Sequence, residues 1–121
     1  MIVTTDDLCL SYLDNFRYFD ELKERVPSLK LIAFTIGNFN NEELLVESSI
    51  FKDWFEQHKD WVEIGGHGHD HKKPQLGWRE NQREEIEECK KILQPFLPER
   101  PLFRFPGFRF LPMSEKILKE V

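Results

Sequence analysis

The sequence predicts an α/β domain built on a parallel sheet. Short apolar runs of strand length alternate with segments whose apolar residues recur at helical spacing, and this happens four times along the chain. The residues of unusual type also fall in a pattern: an aspartate pair follows the first run, a histidine cluster the third, and an arginine lies in the fourth. Parallel α/β sheets bind ligands at the carboxyl ends of their strands, so these groups are expected to share one rim. With 121 residues the chain supports one core, and residues 1–121 are expected to form a single domain, too short for a complete α/β barrel.

The elements follow in order. Residues 2–5 are a short strand. Tyr12, Leu13, Phe16, Phe19 and Leu22 then mark a helix that runs to Val26, where Pro27 stops it. Residues 29–36 form an apolar run closed by Gly37-Asn38, which suits a strand buried on both faces. Phe51, Trp54, Phe55 and His58 share one face of a second helix, and His58 is expected to be a partly buried member of that face. Residues 61–64 form the third strand, and Pro74 with Gly77 marks a turn after it. The longest helix, residues 80–96, has Ile86, Cys89, Leu93 and Phe96 inward and a charged outer face. Residues 102–105 are a fourth strand, and Ser114 caps a last helix with Ile117, Leu118 and Val121 inward. The implied order is four β-α units with right-handed crossovers, all helices on one face.

Composition narrows the function classes. A net charge of −5 with acidic and basic residues intermixed leaves no basic stripe for nucleic acid. No uncharged apolar run approaches the roughly 18 residues of a spanning helix, and the chain opens on a strand rather than a signal peptide, so a cytoplasmic protein with no membrane partner is expected. Cys9 and Cys89 form neither a CxxC pair nor a framework.

The chemistry concentrates in Gly66-His67-Gly68-His69-Asp70-His71, which holds three of the four histidines. Imidazole is the commonest ligand for a borderline-soft divalent ion, and Gly65, Gly66 and Gly68 let the backbone bend so that several rings face one point. A merely solvated polar loop is the plainer alternative. Asp6-Asp7 would supply the carboxylate that a histidine-only site lacks.

Three motifs then carry a resemblance. Thr5-Asp6-Asp7, His67-x-x-x-His71 and Arg104-x-Pro106 resemble, in order, the first three motifs of the polysaccharide deacetylases, the NodB-like carbohydrate esterases of family four. The resemblance spans nearly the whole chain and implies a partial (β/α) barrel of NodB type. It also implies a metal-dependent hydrolase that removes N-acetyl groups from an amino sugar or polysaccharide. Asp7, His67 and His71 would hold a divalent metal, zinc first and cobalt, manganese or nickel as alternatives. Asp6 would be the general base and Arg104 would orient it. A metal with open positions supplies an activated water and a polarised carbonyl. Backbone near Pro106, Gly107 and Phe108 would contact substrate and the developing charge.

The family's later motifs, including a histidine general acid, are absent from these 121 residues. His69 is a candidate substitute acid. The uncovered sheet face expected of half a barrel would be closed by a missing C-terminal half or by a second copy in a homodimer. Two other readings stay open: a catalytically impaired metal-binding or assembly module, and a metallo-β-lactamase-like hydrolase, whose HxHxDH signature the histidine loop matches one residue short.

Overall fold

A computed structural model describes residues 1–68, 71, 82–106 and 114–121, with residues 114 and 115 described by backbone alone. Strand β1 (Ile2–Leu8), β2 (Lys30–Thr35) and β5 (Val62–Gly66) form a parallel sheet of order β1-β2-β5. A small antiparallel hairpin, β3 (Asn38–Phe39) and β4 (Glu43–Leu44), follows β2. The helices are α1 (Arg17–Arg25), α2 (Ser49–His58), α3 (Gln82–Leu93) and α4 (Ser114–Glu120). This is the α/β plan with parallel strands that the sequence predicts.

The core lies on one face of the sheet. Val3, Leu31 and Val62 are in register across the three strands, as are Thr5, Ala33 and Ile64. Leu31, Ala33, Val62 and Ile64 are buried with Phe16, Phe51, Cys89, Leu93 and Phe96 from the covering segments. Each of the valine, leucine, isoleucine and phenylalanine side chains among them contributes about 1.5–3 kcal/mol on burial. The other face carries Ile2, which is 70% exposed, together with Thr4, Ile32, Phe34 and Glu63. Phe34 is nevertheless buried, because the Arg104 guanidinium lies 4.1 Å from its ring centroid. Strand periodicity thus puts Val3, Leu31, Ala33, Thr35, Val62 and Phe103 on or against the covered side.

Four expectations change. The segment from Tyr12 is not one helix: Leu10–Phe16 is a 3₁₀ run that passes into α1. Leu13, Phe16, Phe19 and Leu22 are spaced by three, the 3₁₀ repeat, so their pattern suits both forms. The hairpin at 38–44 was not foreseen, and Asn40 and Asn41 turn it with φ of 55° and 59°. Asparagine tolerates that left-handed region better than other non-glycine residues. The fourth strand shrinks to one parallel bridge, Gly66 to Phe103, with Gly66 N–H donating to Leu102 O at 2.8 Å and Arg104 N–H to Gly66 O at 2.9 Å. Pro101 and Pro106 bracket it and cannot donate to a ladder, so pairing ends within a few residues. Lastly, β1 runs through the aspartate pair rather than stopping before it.

His58 is accounted for structurally. Its ring bridges Trp54 O (2.6 Å) and Asp20 Oδ1 (2.7 Å) and stacks on Trp54 at 4.4 Å, which ties α2 to α1. The turn at Pro74 and Gly77 and the side chain of Ser114 lie outside the described residues. Among the described residues no helix is long and apolar enough to cross a membrane.

Candidate metal centre

Strand β1 delivers two carboxylates to one place by an irregularity. Three residue steps, Thr5 to Leu8, oppose two steps on β2, Ala33 to Thr35, so one residue is extra. Such a bulge re-aims side chains locally. Asp7 sits in it with φ of 63°, a strained conformation for any residue but glycine. Regular alternation would have sent Asp6 and Asp7 to opposite faces.

Asp7 faces two imidazoles. Its Oδ1 lies 3.3 Å from His67 Nε2 and 3.4 Å from His71 Nε2. All three ligand atoms fall within 4.8 Å of one another. Tetrahedral coordination at about 2.0–2.1 Å places ligand atoms about 3.3–3.4 Å apart, which is the spacing Asp7 keeps to each ring. Asp7 Oδ1 is also buried, with no hydrogen-bond partner among the described residues. A buried acceptor left in that state costs about 1–3 kcal/mol unless a cation fills the space it faces. The donor set of one carboxylate and two imidazoles therefore fits a divalent ion of the zinc type.

The tautomer of His67 is fixed from behind. Its Nδ1 donates to Arg104 O at 2.7 Å, so the Nε2 lone pair points toward Asp7. Burial holds the His67 pKa below its ordinary value and so favours the neutral ring that a metal requires. His71 reaches the site with φ of 57°, a second left-handed residue among the three. Beneath the loop, Cys89 Sγ lies against Gly66, where an added Cβ would come within 3.0 Å of it. Burial pushes the Cys89 thiol up to about 12, so it braces the loop as an inert apolar group.

Arg104 joins the centre to Asp6. Its Nη1 donates to Asp6 Oδ1 at 2.7 Å and its Nη2 to Thr4 Oγ1 at 3.2 Å, while its carbonyl accepts from His67. One residue thus positions a ligand through its backbone and Asp6 through its side chain. Thr4 and Phe34, further partners of the guanidinium, were not foreseen. Their signal was strand periodicity, since Thr4 lies two residues before Asp6 and Phe34 is on the neighbouring strand.

The structure therefore brings together Asp6, Asp7, His67, His71 and Arg104. His69, Gly107 and Phe108 lie outside the described residues. The Pro106 side chain is fully buried, less than 2% exposed, and supports the loop by packing. The carboxylate facing His67 and His71 comes from β1, a partner the HxHxDH signature does not contain.

No family model matches the sequence, and no curated protein does. Solved structures do match. A carbohydrate esterase family 4 pseudoenzyme from Bacillus anthracis, BA3943, is 17% identical with a TM-score of 0.71, over 99% of this chain and 40% of that one. The Streptococcus pyogenes deacetylase PplD, in complex with acetate, is 16% identical with a TM-score of 0.69, over 97% and 50%. A family 4 carbohydrate esterase from Streptomyces lividans, also with acetate, is 13% identical with a TM-score of 0.68, over 98% and 56%. The chain spans about half the length of these structures. Its fold is that of part of a family 4 carbohydrate esterase domain, which is the partial barrel that the three sequence motifs imply.

Proposed function

We propose that the chain carries the metal-dependent N-deacetylase chemistry of a polysaccharide deacetylase, acting on an N-acetylated amino sugar or sugar conjugate. The observation that carries this reading is Asp7 Oδ1, buried and without a hydrogen bond among the described residues, facing two imidazole nitrogens, with a second aspartate clamped beside it by arginine. Asp7, His67 and His71 would hold the ion, with zinc the first candidate. When bound, the ion supplies a water of lowered pKa and polarisation of the acetyl carbonyl.

The chain's own residues do the rest. Asp6 takes the proton of the attacking water as general base; with Oδ1 engaged by Arg104, the proton arrives at Oδ2. Arg104 keeps Asp6 oriented by a charge-assisted hydrogen bond. The proton gained by Asp6 is the one that the departing amine needs when the carbon–nitrogen bond breaks, so acetate and a free amino sugar leave with the proton count balanced. His69 remains a candidate for a more direct donor.

A second reading is a metal-binding module without turnover. It is favoured by the pseudoenzyme among the structural neighbours. Acetate release from an N-acetylglucosamine oligomer by the zinc-loaded chain decides between them. Release that disappears in Asp6→Asn while zinc stays bound supports the enzyme, and no release at all supports the module.

A further inference from the structure

Beside the aspartate pair lies an open cleft of about 350 Å³, bounded by Asp6, Asp7, Tyr12, Asn15 and Phe19. That volume is at the lower end of the range for small-molecule sites and suits about one sugar ring. Tyr12 is 42% exposed, unusual for a large aromatic residue, yet it is held firmly. Its ring packs on Phe39 of the hairpin at 5.8 Å, and its N–H donates to Cys9 O at 3.3 Å. The preceding residue, Ser11, donates from both its N–H (2.6 Å) and its hydroxyl to the Glu43 carboxylate of β4. The hairpin thus pins the 3₁₀ run, and with it an exposed aromatic plane, next to the carboxylates.

The geometry points to this cleft as a pyranose subsite, with Tyr12 as its stacking wall and Asn15 as its polar contact; this rests on the deacetylase reading. The C–H face of an N-acetylhexosamine packs on an aromatic ring, and its hydroxyls need an amide that both donates and accepts. Asn15 has both capacities and is exposed on the cleft. A rigid wall loses little entropy on binding, which is the use of the hairpin brace. Tyr12 and Asn15 are therefore specificity-determining residues that touch the sugar and leave the reacting bond to Asp6.

The test measures binding of an N-acetylglucosamine tetramer to the zinc-loaded chain by calorimetry, alongside hydrolysis of 4-nitrophenyl acetate, which has no sugar. Tyr12→Ala is expected to weaken tetramer binding by about tenfold, Tyr12→Phe by less than about twofold, and Asn15→Ala by roughly threefold to tenfold. Hydrolysis of the small ester by each variant reports that its metal centre is still formed. Equal tetramer affinity in Tyr12→Ala and the unaltered chain overturns the subsite. So does an unaltered chain that cleaves the ester but does not bind the tetramer. Tyr12-dependent binding without cleavage of ester or tetramer supports the subsite and overturns the deacetylase reading instead.

Discussion

Asp7→Gly should make the metal-free chain more stable and at the same time abolish its response to zinc. Two features of Asp7 act against the apo fold. Its Oδ1 is buried without a hydrogen-bond partner among the described residues, at a cost of about 1–3 kcal/mol, and its φ of 63° suits glycine better than aspartate. Glycine removes both and returns about 0.5–1 kcal/mol through the greater freedom of the unfolded chain. The net gain is about 1 kcal/mol, or roughly 4 °C in Tm for a chain of 121 residues. In the unaltered chain, zinc at one hundred times its Kd should add about 2.7 kcal/mol, a rise of roughly 10 °C. A hundredfold loss of affinity in Asp7→Gly would cut that to about 0.4 kcal/mol at the same zinc concentration. Differential scanning calorimetry with and without zinc reads both effects. An apo variant less stable than the parent would show that Oδ1 is satisfied in solution, and a full zinc response in the variant would remove Asp7 from the centre. The pH dependence has a definite sign. The folded His67 pKa lies below its ordinary 6.5, so protons favour the unfolded chain. Stability and zinc response should both be complete above about pH 6.5 and decline as pH falls through the folded value.

Other substitutions separate the remaining roles. Asp6→Asn should lower deacetylation by about 10²- to 10⁴-fold with zinc affinity unchanged, measured by acetate release and by titration; loss of zinc would make Asp6 a ligand. Arg104→Ala keeps the backbone carbonyl that orients His67, so it should weaken turnover while sparing metal, and loss of the metal would show that the side chain supports the ligand too. Gly37→Ala should destabilise by about 1–3 kcal/mol in urea unfolding, because the new Cβ would sit 2.5 Å from Ile92 Cγ2; an unchanged midpoint would show that α3 can shift. Ser48→Ala should cost about 1 kcal/mol by removing the cap its hydroxyl provides to Phe51 N–H, and no loss would mean that water replaces it.

Local pattern alone determined a good part of this protein. The alternation of strand and helix periods, the inward faces of α2 and α3, and the grouping of Asp6-Asp7, His67-x-x-x-His71 and Arg104 are properties of residue type and spacing. Each depends on neighbours within a few positions, and the rule that parallel sheets gather polar residues at one rim did the rest. What the tertiary structure decided is every feature set by residues far apart in sequence. The bulge that turns both aspartates inward exists only because β1 is paired one residue out of step with β2. The tautomer of His67 depends on a carbonyl of Arg104, and the guanidinium depends on Thr4 and Phe34 of two other strands. The fourth strand failed because its length is limited by two prolines, and the bracing hairpin escaped notice because two-residue strands have no period to read. Periodicity reports which face a residue is on. Only the packed chain fixes the few tenths of an ångström that make three side chains a site.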